Sequence, residues 1–234
     1  MLRRIPPFAA SLLALVAVAF AGCGSSSSSS GNGVSSKSPT EILSAATAAA
    51  DGASSVHVAG ALTSGGSPIT LDMDLVSGHG GRGQISESGL AFELIVVHDT
   101  VYIKGSPAFY RHFGGGGAAQ LFQGKWLRAS ASSGELASLA SLTNLGRLLD
   151  QTIAGHGALA KGATATIGGQ PVVELRDTAR DGSLFVASTG RPYPIEIVKR
   201  GSEAGHISFT RWNQPVTLTA PSGAIDLSQL HTGH

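Results

Sequence analysis

The chain of 234 residues has a single cysteine, Cys23. One cysteine excludes an intramolecular disulfide framework and any zinc site built on cysteines. Charged residues are only 13 % of the chain and aromatics 6 %, and the formal net charge is +1. That balance provides no basic footprint for nucleic acid. No apolar run reaches the roughly 20 residues that a spanning helix needs. The nucleophile elbow G-x-S-x-G, the phosphate-binding G-x-x-x-x-G-K-[ST] and the zinc motif H-E-x-x-H are all missing. What is present is a 42 % hydrophobic share and 32 glycines. Together these point to a packed core made of short strands and many turns.

The N-terminus reads as an export signal. Arg3 and Arg4 precede an apolar stretch over 8–22, the length of a signal core. It ends in Phe20-Ala21-Gly22-Cys23, which resembles the bacterial lipobox, with Phe20 where the usual motif has Leu. The resemblance implies a diacylglyceryl group on Cys23, cleavage before it, and acylation, for instance with palmitate, of the new terminus. Two or more acyl chains anchor stably where one does not. Loss of 1–22 removes two arginines and leaves 14 basic residues against 15 acidic ones. Electrostatics therefore cannot hold the mature chain on an anionic membrane. The expected organisation is a signal peptide at 1–22, a lipidated Cys23 with a Ser/Gly tether at 23–38, and a single domain over 39–234. A tether of this length spans about 20 Å as a random coil.

Ser38-Pro39-Thr40-Glu41 opens a helix, with Ser38 as cap, Pro39 in the first turn and Glu41 three residues on. Ile42, Leu43, Ala46 and Ala49 give it one apolar face, and Asp51-Gly52 ends it. The period then switches to two. Ile69, Leu71, Met73 and Leu75 alternate with Thr70, Asp72 and Asp74, the cleanest half-exposed strand of the chain. A meander over 55–104 follows from this alternation, with a turn at 77–83. The middle reads as a helical turn at 107–113, a glycine loop at 114–117, a strand at 124–128 and one or two helices within 135–151. Strands return at 163–167, 171–177, 183–187, 193–200, 206–212 and 216–219.

Functional candidates are few. Gly78, Gly80 and Gly83 satisfy G-x-G-x-x-G formally, but they lie between strands and open no helix, so they read as a turn. His231 and His234 are three apart, and the remaining histidines are scattered, so neither a metal nor a cofactor is expected. Glu93 suits a general base or an outward-facing strand position, and the outward position is expected. Trp126 and Trp212 suit sugar stacking or core packing, and packing is expected. With no paired acids and no nucleophile beside a base, enzymatic activity is not expected.

Several segments together resemble a known family. They are the helix at 38–43 leading into Ser55-Val56-His57-Val58, then Thr100-Val101-Tyr102-Ile103-Lys104-Gly105, Gly124-Lys125-Trp126-Leu127, Tyr193-Pro194-Ile195-Glu196-Ile197, and Phe209-Thr210-Arg211-Trp212-Asn213-Gln214-Pro215-Val216. In this order, behind a lipobox, they are similar to the LppX/LprG-type lipoproteins of actinobacteria and, more distantly, to the LolA/LolB carriers. The resemblance implies an α+β fold: a curved antiparallel sheet, or incomplete β-barrel, closed on its concave side by helices. It also implies an apolar cavity for acyl chains of lipids or lipoglycans, a role in their transport in the cell envelope, and an envelope transporter as partner. The protein would sit on the extracytoplasmic face of the cell membrane. The inward parity of the strands nominates Leu71, Met73, Leu75, Phe92, Leu94, Val96, Ile195 and Ile197 as the lining. The same apolar surfaces suit a solid core equally well. The alternative is then a surface-anchored partner-binding or sensory lipoprotein with a filled core and no lipid ligand.

Overall fold

The computed structural model describes residues 31–132, 136–141, 143–144, 146–148 and 156–230. The signal segment, Cys23, His231 and His234 lie outside them. Residues from Gly31 onward form one compact unit with its own core clusters. Among the described residues no helix is long and apolar enough to cross a membrane.

Helix α1 is Pro39–Asp51. The Ser38 amide donates to Glu41 Oε2 at 2.9 Å, and the Glu41 amide donates to Ser38 Oγ at 3.4 Å, which closes a reciprocal capping box. These hydrogen bonds to Ser38 lower the Glu41 pKa. Among the described residues twelve strands follow: β1 (Ser55–Ser64), β2 (Ser67–Val76), β3 (Gly80–Glu87), β4 (Leu90–Val97), β5 (Thr100–Gly105), β6 (Leu127–Ser130), β7 (Leu159–Ile167), β8 (Gln170–Asp177), β9 (Gly182–Ala187), β10 (Pro194–Lys199), β11 (Gly205–Thr210) and β12 (Ile225–Asp226). Helices α2 (Pro107–Phe122) and α3 (Leu136–Ser141) lie on either side of β6 in the chain.

All twelve strands form one open, curved sheet in the order β12-β6-β5-β4-β3-β2-β1-β11-β10-β9-β8-β7. Every neighbouring pair is antiparallel except β12 with β6. The connections are tight: Ser88 and Gly89 take φ of 49° and 83°, the left-handed pair that matches the strand twist of a two-residue hairpin. The α+β class and the open antiparallel sheet agree with the sequence reading.

One face of the sheet carries the core. Val58, Met73, Leu94, Val101 and Phe209 meet in its centre. Ile42 and Ala46 of α1 pack on Val173, Leu175 and Val186 of β8 and β9. Tyr110 and Ala119 of α2 pack on Ile103 and Leu127 of β5 and β6. The helices thus cover the same face at its two ends.

The structure differs from the sequence reading at several places, among them the strand read at 124–128, which lies at Leu127–Ser130. Residues 31–38 are not free tether. Gly31 bridges to Thr189, Asn32 donates its side-chain amide to the carbonyls of Ala187 and Gly190, and Val34 is 1 % exposed beneath α1. The expected turn at 77–83 is shorter, because Gly80 to Gly83 already pair with both β2 and β4. The glycine loop at 114–117 is helical, and only Gly115 departs, with φ 75° and ψ −172°. Each glycine weakens a helix by about 1 kcal/mol; packing of Tyr110 and Ala119 on the sheet offsets this. Residues 216–219 form no strand. Both edges of β1 and of β11 are already paired, and Arg211 and Asn213, at φ 52° and 58°, turn the chain away. It returns as β12 to cover the edge of β6.

Candidate functional site

Between α2, α3 and the concave face of β1–β6 lies a cavity of about 720 Å³. Register sets part of its wall. Met73 of β2, Gly83 of β3 and Leu94 of β4 are successive cross-strand partners. The middle position carries no side chain, and an added Cβ there would stand 2.7 Å from Met73 Sδ. One row higher, Leu71, Ile85 and Phe92 are partners, and all three line the cavity.

The lid is α2. It can approach because Gly105, where β5 ends, leaves room for Phe109; a Cβ on Gly105 would sit 2.4 Å from that ring. Phe92 and Phe109 have ring centroids 5.2 Å apart, and Phe109 continues to Phe113 at 4.7 Å and to Tyr110 edge-on at 5.7 Å. Such pairs hold beyond their buried area. Tyr110 fixes the lid by hydrogen bonds at both of its ends. The Gly105 amide donates to the Tyr110 hydroxyl at 2.9 Å, and that hydroxyl donates to the Lys125 carbonyl at 3.2 Å. Burial raises the Tyr110 pKa, keeping the phenol neutral and able to donate.

The cavity is closed at one end and open at the other. Along β2 the inward residues pass from half-buried Ile69 and Leu71 to buried Met73 and Leu75. The open end is marked by exposed Glu87 at the end of β3 and by Phe113, 68 % exposed, on α2. Glu87 is the one ionised group among the described lining residues. The described lining offers apolar surface, an amphipathic mouth and no nucleophile beside a base.

The nominated residues separate into groups. Leu71, Met73, Leu75 and Phe92 line the cavity. Leu94 and Val96 share their parity but are buried in the central core and do not line it. Leu139 and Ala140 of α3 pack against the cluster that holds Leu94 and Val96. Ile197 packs against the same core, beyond the cavity. Ile195 sits in a β-bulge between Pro194 and Glu196, outside the regular alternation. Sequence reasoning missed Tyr110, Phe109 and Phe113; their spacing on a helix capped by Ser106 and begun at Pro107 was the available signal.

The other candidates are placed outside the cavity. Glu93 faces outward and pairs with Lys104 at 2.6 Å, and Lys104 lies 4.9 Å over Trp126. Trp212 stacks on Tyr193 at 4.5 Å and donates to the Pro194 carbonyl. Asp74 on the outer face receives Arg211 at 2.8 Å and His57 at 3.0 Å, a latch between β1, β2 and the turn after β11. Among the described residues no three His, Cys, Asp or Glu side chains are grouped for a metal.

The chain matches no family profile and no curated protein. It does match solved structures. LprF from Mycobacterium bovis superposes with a TM-score of 0.54 at 17 % identity, over 79 % of this chain and 97 % of that one. The lipoprotein LppX from Mycobacterium tuberculosis superposes with a TM-score of 0.50 at 17 % identity, over 77 % of this chain and 99 % of that one. The open antiparallel sheet with helices over its concave face is the fold of these two mycobacterial proteins, in line with the resemblance seen in the sequence.

Proposed function

We propose that the protein binds an acyl chain of a lipid or lipoglycan in the cavity beneath α2 and assists its transport in the cell envelope. In this reading it is held at the extracytoplasmic face of the cell membrane by lipid on Cys23, with an envelope transporter as partner. The observation that carries the reading is the apolar cavity of about 720 Å³, open at one end and free of paired catalytic groups among its described lining. Pockets of this size suit small-molecule ligands. Each methylene moved out of water contributes about 0.8 kcal/mol, so ten contribute about 8 kcal/mol before ordering costs. Leu71, Met73, Leu75 and Phe92 contact the chain, while Leu94, Val96 and Ile197 pack in the core beside the cavity. Ile195 is not part of this site. The hollow argues against the filled-core alternative.

The test is uptake of a fluorescent fatty-acyl probe by the unit from Gly31 onward. Saturable uptake that an unlabelled acyl lipid displaces supports the reading. Absence of uptake, with the fold intact by circular dichroism, returns the protein to the partner-binding alternative.

A further inference from the structure

Two large apolar side chains stand exposed among the described residues, Phe113 at 68 % and Leu121 at 52 %, and both belong to α2. Phe113 is also part of the cavity mouth. The stretch 100–134 contains no Asp or Glu, yet it holds Lys104, Arg111, Lys125 and Arg128. Lys104 is neutralised by Glu93 and Arg128 by Asp226. Arg111 and Lys125 have no carboxylate partner among the described residues. The lid therefore carries two exposed apolar side chains, with Arg111 on it and Lys125 just past its end lacking carboxylate partners, while the exposed Glu87 stands at the opening.

We propose that α2 is a docking surface for an anionic lipid bilayer, seating Phe113 and Leu121 at the headgroup–acyl boundary and bringing the cavity mouth to the lipid. The inference rests on the cavity being the acyl site proposed above. Charge complementarity selects the occupant: apolar side chains enter the acyl boundary while Arg111 and Lys125 meet phosphates, the two signals that together hold a helix on a bilayer. A second copy of this chain meeting through α2 would instead oppose cations with no acid on either helix.

The test is co-flotation of the unit from Gly31 onward with vesicles of phosphatidylcholine alone or with added phosphatidylglycerol. Binding is expected for the phosphatidylglycerol vesicles and is weakened by high salt. The double variant Arg111→Glu with Leu121→Ser should lose about tenfold in vesicle binding. Neither residue lines the cavity, so its acyl-probe uptake should stay at the wild-type level. The proposal is overturned if wild type floats with neither vesicle, if the double variant floats as well as wild type, or if wild type sediments as a dimer that the variant dissolves. Probe uptake without flotation removes the docking surface and leaves the acyl site. Flotation without uptake removes the acyl site and leaves a membrane-binding helix.

Discussion

The hydroxyl of Tyr110 lies 2.9 Å from the amide nitrogen of Gly105, and this one contact ties the start of the lid to the end of β5. The same oxygen reaches the carbonyl of Lys125 and so ties down the lid's far end. Tyr110→Phe keeps the ring and leaves a buried amide without its acceptor. An unsatisfied buried group costs about 1–3 kcal/mol. In a domain of this size, that lowers Tm by about 2–4 °C per kcal/mol. A thermal melt checks it, and hydrogen exchange should show faster opening over 106–125. Because the folded-state pKa is raised, the stability from neutral Tyr110 is complete below the unfolded value of 10.0 and falls as pH climbs through the folded value. That alkaline loss should be smaller in Tyr110→Phe.

Two substitutions on one strand separate wall from core. Phe92 is half-buried at the cavity, whereas Leu94, two residues on, is 0 % exposed. Phe92→Asp can place its carboxylate in the cavity opening, so the protein should remain folded while acyl-probe uptake is lost. Leu94→Asp buries an unpaired charge, a penalty of several kcal/mol against a typical stability of about 5–15. It should unfold or melt far below wild type. Equal melts for the two variants would show that the wall is no different from the core.

How far the sequence reached can be seen at particular residues. The capping box of Ser38 and Glu41 and the alternation of β2 are local patterns, and both stand in the structure as read. The division between Leu71 and Leu94 was not legible. Both have inward parity, and what differs is the side chain across the sheet and the helix above it, which sequence spacing does not specify. Val34 was hidden for a related reason. Its Ser/Gly surroundings suggest coil, yet Asn32 holds the backbone to Ala187 and Gly190, some 155 residues away. The glycines at 114–117 misled because tertiary packing overrides weak helix propensity.

Glu174 is buried on the far side of the sheet, where Arg176 Nε and Ser183 Oγ donate to it at 2.9 and 2.8 Å. The Arg176 hydrogen bond is the main reason its pKa is lowered, partly opposed by burial. Its contribution is therefore present above the unfolded value of 4.5 and is lost as pH falls through the lower folded value. Hydrogen bonds to a charged group contribute about 1.5–3 kcal/mol. Glu174→Gln should lower stability at neutral pH and flatten the acid side of a stability–pH curve. An unchanged curve would mean that the cluster is neutral in its effect.

Under a high-salt wash, Cys23→Ala should release the protein from membranes, since the mature chain has nearly balanced charge and salt weakens electrostatic docking of α2. Cell fractionation with a high-salt wash checks this. Retention of the variant in the membrane pellet would contradict a lipid anchor at that position.

The central claim is that the hollow beneath α2 holds an acyl lipid. Native mass spectrometry of the unit from Gly31 onward, purified from a bacterium with its lipids, tests it most directly. The account predicts a bound mass in the range of acyl lipids, released by organic extraction and absent from Phe92→Asp. A wild-type spectrum that shows only the unliganded mass, before and after incubation with acyl lipid, would contradict it.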